Sequence, residues 1–140
     1  MKKIIIATLV LSTVLVACKK KTTEGVIPAT PTALAAGDVV VAKANFETNV
    51  HTTTGEANLV TNNGVKKLKF VNFKTDSGPD LRVYLSKAKD AKDFVDLGKL
   101  KATSGNIEYD VASTINISEY KYVIIWCEDY SVLFGNAHLQ

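Results

Sequence analysis

Tyr122-Val123-Ile124-Ile125-Trp126-Cys127, followed by Glu128-Asp129 and then Tyr130-Ser131-Val132-Leu133-Phe134-Gly135, is the stretch whose reading decides the fold. Six consecutive residues before the acidic pair are apolar or aromatic on both alternating faces, and a strand of that kind belongs inside a sheet that is covered on both sides. Period-2 geometry puts Val123, Ile125 and Cys127 on one face and Tyr122, Ile124 and Trp126 on the other. Glu128-Asp129 makes the turn or a bulge beside it, and Tyr130–Ala137 returns as the next strand. Cys127 therefore falls at the end of a central strand, next to a loop.

Working outward, Val, Thr and aromatic runs separated by Gly, Asn and Asp predict strands over Val39–Asn49, Glu56–Thr61, Lys66–Phe73, Leu81–Ser86, Asn106–Val111 and Lys121–Cys127. Asn62-Asn63-Gly64 is a hairpin signal, because Asn and Gly tolerate the positive φ of a two-residue primed turn. Leu81, Val83 and Leu85 share a face. Only Ser86–Asp96, with Ala88 and Ala91 among lysines, is open to a turn of helix or a long loop. Seven to nine short strands imply an all-β, antiparallel β-sandwich.

The N-terminus reads differently. Lys2 and Lys3 precede an apolar run, Ile4–Val16, of thirteen residues, short of the roughly 20 that a bilayer span needs. With Leu15-Val16-Ala17-Cys18 at its end, residues 1–17 are expected to be a lipoprotein signal peptide, cleaved to leave a lipidated Cys18. An ordinary signal peptide or an uncleaved anchor is the alternative. Residues 18–37 are rich in Lys, Thr, Ala and Pro, with Pro28 and Pro31 opposing regular structure, and are expected to form a flexible tether. The sandwich is expected over 38–140. The chain is then attached to a membrane in a bacterial cell envelope, facing the periplasm. Removing Lys2 and Lys3 from the +3 chain leaves a net charge of +1, which argues against nucleic acid as a partner.

Cys127 is then the one cysteine not expected to carry lipid, and an odd cysteine in an exported protein calls for an explanation. Two readings are open: a thiol that meets a ligand, metal or other thiol, or an inert, packed small hydrophobe. His51 and His138 are the histidines that could join it as ligands to haem or a metal ion; each could equally be a surface residue. Asp80, in Gly78-Pro79-Asp80, is either a turn residue or a metal or substrate ligand. Trp126, with Tyr130 and Phe134, is either core or a stacking surface for sugar or haem. No CxxC, CxxCH, HExxH, P-loop or Ser-His-Asp order is present, so covalent c-type haem and an internal dithiol cycle are excluded and no stand-alone enzyme is expected.

Four segments, in order, resemble the DM-thirteen domain: Phe46, His51 and Gly55; Phe73 with Gly78-Pro79-Asp80-Leu81 and Val83-Tyr84-Leu85; Leu97-Gly98, Leu100-Lys101, Gly105-Asn106 and Tyr109; and Tyr122 to Leu139. The resemblance implies a DOMON-related β-sandwich in an extracytoplasmic protein that takes part in electron transfer. It also implies that Cys127 is a redox thiol or prosthetic-group ligand, with a redox protein as partner. Two positions depart from the pattern. Ile107 stands where Gln is expected. Glu128 stands after the cysteine where a polar or basic residue is expected, and its charge would disfavour a neighbouring thiolate. The competing expectation is a non-redox module that binds a ligand or partner, with Cys127 packed.

Overall fold

The computed structural model describes residues 33–140. The signal peptide, Cys18 and most of the expected tether lie outside the described residues. Nine strands form two antiparallel sheets: β1 (Val39–Asn45), β2 (Glu47–Thr48), β3 (Thr53–Asn62), β4 (Val65–Thr75), β5 (Leu81–Ser86), β6 (Phe94–Lys99), β7 (Ser104–Val111), β8 (Tyr122–Cys127) and β9 (Val132–His138). One sheet has the order β1-β3-β4-β7 and the other β2-β9-β8-β5-β6. The all-β sandwich is as expected, and β8 is the middle strand of five.

The core lies between the sheets. β5 contributes Leu81, Val83 and Leu85, and β8 contributes Val123, Ile125 and Cys127; Phe46, Leu59, Leu68, Phe70 and Phe73 come mostly from the opposite sheet. Phe46, Phe70 and Phe73 form an aromatic triangle with ring centroids 4.9–5.1 Å apart. Ile107 is buried here on β7, an inward position where an apolar side chain needs no hydrogen-bond partner. Asn63 and Gly64 both have positive φ between the paired residues Asn62 and Val65, so the β3–β4 hairpin forms as its residues require.

Two expectations need correction. Val39–Asn49 is not one strand. The chain passes from one sheet to the other at Phe46, which enters the core, and its N–H donates to the Gly55 carbonyl at 2.8 Å. Of the two readings of Ser86–Asp96, the loop holds for residues 87–93 and the helix does not form, while the last three residues are strand. Residues 87–93 turn, with Ala91 at positive φ, and Phe94–Lys99 becomes an edge strand on β5. Val95 and Leu97 pack against the core, so period-2 burial decides this segment rather than the Ala spacing.

The outer face of the four-stranded sheet is a charge ladder. Lys69 donates to Asp38 at 2.7 Å, with side chains 6% and 3% exposed, and Lys67 pairs with Glu108 at 2.7 Å. The Lys69 hydrogen bond, then the Ala35 N–H and the Asn62 amide, lower the Asp38 pKa to about 2. A carboxyl depressed in the folded state stabilises fully above its unfolded value, 3.8, and that contribution is lost as pH falls towards 2. Urea midpoints are therefore expected to be lower for Asp38→Asn than for wild type near neutral pH, with the two converging as pH drops from about 5 to about 2. A constant gap across that range would show that Asp38 acts by packing alone.

Candidate functional site

β8 carries Cys127 to one end of the sandwich, between Leu81 of β5 and Val132 of β9 in the hydrogen-bonded register. Its side chain points inward with Val123 and Ile125 and is 0% exposed. It is the free cysteine of the described residues. Three segments meet at this end. Residues 128–131 make the β8–β9 turn, closed by the Ser131 N–H donating to the Glu128 carbonyl at 3.3 Å. Residues 76–80 precede β5, and the Glu128 N–H donates to the Asp80 carbonyl at 2.9 Å. Residues 49–52 lie against β9 through the N–H groups of Asn49 and Val50, which donate to the carbonyls of Phe134 and Leu133.

Gly78 is fitted into this end. A β-carbon on it would come within 2.9 Å of both Leu81 and Phe134. In Gly78-Pro79-Asp80 the glycine thus serves close packing as well as the turn.

His51 is brought to the same end. Its ring stacks on Phe134 with centroids 4.0 Å apart, and its Nδ1 lies 3.5 Å from the Asp76 carboxylate. Asp80 is also here, but its carboxylate is engaged by Arg82 at 3.4 Å and by Lys99 at 3.4 Å. Arg82 in turn reaches Asp96 at 2.9 Å, and these two carboxylates, Asp96 first, raise its pKa. Asp80, Lys99 and Lys101 line a cleft of about 290 Å³ whose walls also include Gly78, Leu81 and Leu100. Two of the sequence motifs thus share one cleft, and Leu81 lies between it and the strand carrying Cys127.

Trp126 and His138 are not brought to the thiol. Trp126 lies on the opposite face of β8, as alternation requires, and is half-buried. His138 pairs with Tyr122, its ring stacked on that tyrosine with centroids 4.6 Å apart. Tyr122 and Cys127 are the two ends of β8, which at roughly 3.3 Å per residue are about 17 Å apart.

The sequence reading missed a pair on the outer face of the same sheet. The Tyr84 hydroxyl donates a hydrogen bond to the Glu128 carboxylate. Tyr84 is fully buried and stacks on Phe94 at 4.0 Å. Burial, followed by the Glu128 carboxylate, pushes the phenol pKa up. Only the alternation Arg82-Val83-Tyr84-Leu85 hints at this outward-facing phenol; its partner is 44 residues away in sequence. Glu128 thus turns its charge to the face away from the thiol.

The surroundings of Cys127 do not fit a haem or a metal ion. The sulfur is sealed among apolar side chains, and among the described residues no three His, Cys, Asp or Glu side chains are grouped to hold a metal.

A two-sheet sandwich whose central strand ends in one buried thiol under three loops defines an all-β module with one cysteine among the described residues. The chain belongs to the Electron transfer DM13 family, whose model matches residues 45–139. No curated protein and no solved structure matches it. The match begins at Asn45, next to Phe46, and ends at Leu139, so it covers both sheets apart from most of β1.

Proposed function

We propose that this protein is an extracytoplasmic electron-transfer module, held at a membrane by a lipid on Cys18 and facing the periplasm, in which Cys127 is the redox thiol. The observation that carries the reading is positional. Within a domain of an electron-transfer family, Cys127 ends the central strand beneath three short loops. It also lies at the opposite end of the sandwich from the entry of the chain at Val39, which pairs with Thr61 beside the Asn63-Gly64 turn. The end of the sandwich that carries this thiol then lies away from the membrane, where a redox partner can dock.

The chemistry is thiol–disulfide exchange. The Cys127 thiolate attacks one sulfur of a partner disulfide, forming a mixed disulfide and releasing the partner's other sulfur as a thiolate. The sulfur becomes reachable only when residues 76–80 and 128–131 part. Most residues of these segments are exposed, and one backbone hydrogen bond, from Glu128 to Asp80, joins the two segments, the kind of region that opens locally.

The second reading, a non-redox binding module with Cys127 as packing, is favoured by the complete burial of the thiol. One titration separates them. The full chain is incubated with a disulfide such as oxidised glutathione and the mass of the Cys127 peptide is followed without denaturant. A mixed disulfide, lost in Cys127→Ser, supports the redox thiol. No adduct until the protein unfolds supports the packed cysteine. Added haem is expected to give no Soret band that depends on Cys127, because the sulfur has no room for the iron; a Cys127-dependent band would overturn that assignment.

A further inference from the structure

The end of the sandwich opposite Cys127 has a property that the redox reading leaves unused. Among the described residues, five of the eight exposed large hydrophobics, Leu34, Val39, Val40, Val41 and Val65, gather there. They are neighbours in the fold. Val39 pairs with Thr61, Val65 pairs with Asn62, and the Asn62 amide donates to the Ala36 carbonyl; because Thr61 and Asn62 are consecutive, Val39 and Val65 crown the same end of the sheet from its two faces. A soluble surface rarely concentrates apolar side chains in this way without a partner.

Beside them lies an apolar groove of about 220 Å³ between β1 and the short turn at Ile117–Glu119. Val41, Ala42, Ile117 and Tyr120 form its walls, and the core residues Leu59 and Leu139 its floor. An apolar cavity of about 150 Å³ already admits a molecule the size of benzene, so this groove has room for the end of an acyl chain. Lys121 is the basic residue at its mouth; Lys66, outside the lining, lies at the same end beside Val65 and donates to the carbonyls of Ser113 and Ile115 at 3.0 and 2.7 Å. Of the acidic residues at this end, Asp38 is engaged by Lys69, Glu119 by Lys87 and the exposed Asp110 by Lys67.

We infer that this end is a membrane-docking face, with Val39, Val41 and Val65 seated on a phospholipid bilayer and the groove taking acyl-chain ends. The occupant is argued from where the chain leads. Residues before Ala33 enter the domain at this end, and Cys18 stands fifteen residues earlier. Those fifteen residues span at most about 50 Å, so a lipid on Cys18 keeps a bilayer within reach of this face. Basic side chains around an apolar patch match anionic headgroups around acyl chains. The inference rests on the lipid-anchored reading. It also assigns an orientation: β8 stands away from the membrane and presents the Cys127 end outward.

The test uses the full chain, lipidated in cells and reconstituted into vesicles of phosphatidylethanolamine and phosphatidylglycerol carrying brominated acyl chains. Trp126, the single tryptophan, reports on the far end. A Val65→Trp/Trp126→Phe variant reports on the docking end, with Val39→Trp/Trp126→Phe as a second reporter should the first fold poorly. Quenching of the Val65 or Val39 reporter by about half or more, with native Trp126 nearly unquenched, is the expected result. Adding Val41→Asp to the reporter should abolish most of the quenching while the protein stays on the vesicle. Equal quenching at both ends, or at neither, overturns docking while the anchor stands. So does a blue-shifted but unquenched reporter in a protein that sediments as a dimer, which would make this face a contact between copies. Protein that washes off the vesicles, with Cys18 unmodified by mass, removes the anchor and the docking together.

Discussion

Alkylation of Cys127 by a maleimide is expected to be about a thousandfold slower in the folded protein than in the unfolded chain, and to show little dependence on urea at low concentrations. The first part follows from the geometry, since the sulfur is fully buried behind Leu81, Val132 and the loops that cross the end of the sandwich. A thousandfold protection corresponds to an opening free energy of about 4 kcal/mol, at 1.4 kcal/mol for each factor of ten. Global unfolding of a domain this size costs about 5–15 kcal/mol, so labelling through a local opening is the faster route. A local opening exposes little surface, and its rate is therefore nearly insensitive to urea.

The segments that open are 76–80 and 128–131, joined by the single backbone hydrogen bond from Glu128 to Asp80. Gly78→Ala supplies the second arm of the test. Its β-carbon would press on the side-chain ends of Leu81 and Phe134 at 2.9 Å, and overpacking of this kind costs about 1–3 kcal/mol. If that strain is released on opening, labelling of Cys127 accelerates about tenfold. Pulse labelling with mass analysis of the Cys127 peptide measures both. A rate that instead tracks the global unfolding curve, unchanged by Gly78→Ala beyond the loss of stability, would make Cys127 a packing residue and remove the redox thiol.

The strands on either side of that thiol were legible because each carries one periodic signal. β5 ends where its alternation ends, and β8 shows its two apolar faces without interruption. Alternation also grouped Cys127 with Val123 and Ile125. It could not say which face of β8 met the other sheet, because both faces are apolar; Ile124 is as deeply buried as Ile125. β6 was illegible for a related reason. It is an edge strand of mixed polarity following a lysine- and alanine-rich turn, and only pairing with β5 fixes its conformation. The site divides in the same way. His51, Asp80 and Cys127 share one end because three separate chain reversals bring them there. His138 is close to Cys127 in sequence, yet the antiparallel hairpin places it beside Tyr122 at the other end. Neighbourhood along the chain carries no information about the Tyr84–Glu128 pair, which joins β5 to the β8–β9 turn across 44 residues.

Gly135→Ala is expected to cost about 3 kcal/mol or more. Gly135 lies on β9 opposite Thr48 of β2 and Ile125 of β8. A β-carbon there would fall against Thr53, 2.5 Å from its Oγ1 and 2.7 Å from its Cγ2. Thr53 has nowhere to go. It is 1% exposed, its hydroxyl shares a hydrogen bond with Thr75 at 3.0 Å and reaches the His51 carbonyl at 3.2 Å, and its N–H donates to the Thr48 hydroxyl at 3.0 Å. The added methyl must either break this buried network or part β9 from β3, and buried polar groups left without partners cost about 1–3 kcal/mol beyond the overpacking itself. With a urea slope of about 1–3 kcal/mol/M, the unfolding midpoint should fall by about 1–3 M. The cause is testable by a double-mutant cycle. Thr53→Gly destabilises wild type by removing the network, but in the Gly135→Ala background it also removes the clash, so the two changes together should cost less than their sum. Strict additivity, or a Gly135→Ala cost below about 1 kcal/mol, would mean that β9 can shift to accept the methyl. Because Thr53 holds the 49–52 loop that carries His51 onto Phe134, the same substitution should also hasten labelling of Cys127, coupling the stability of the β9 contact to access at the thiol.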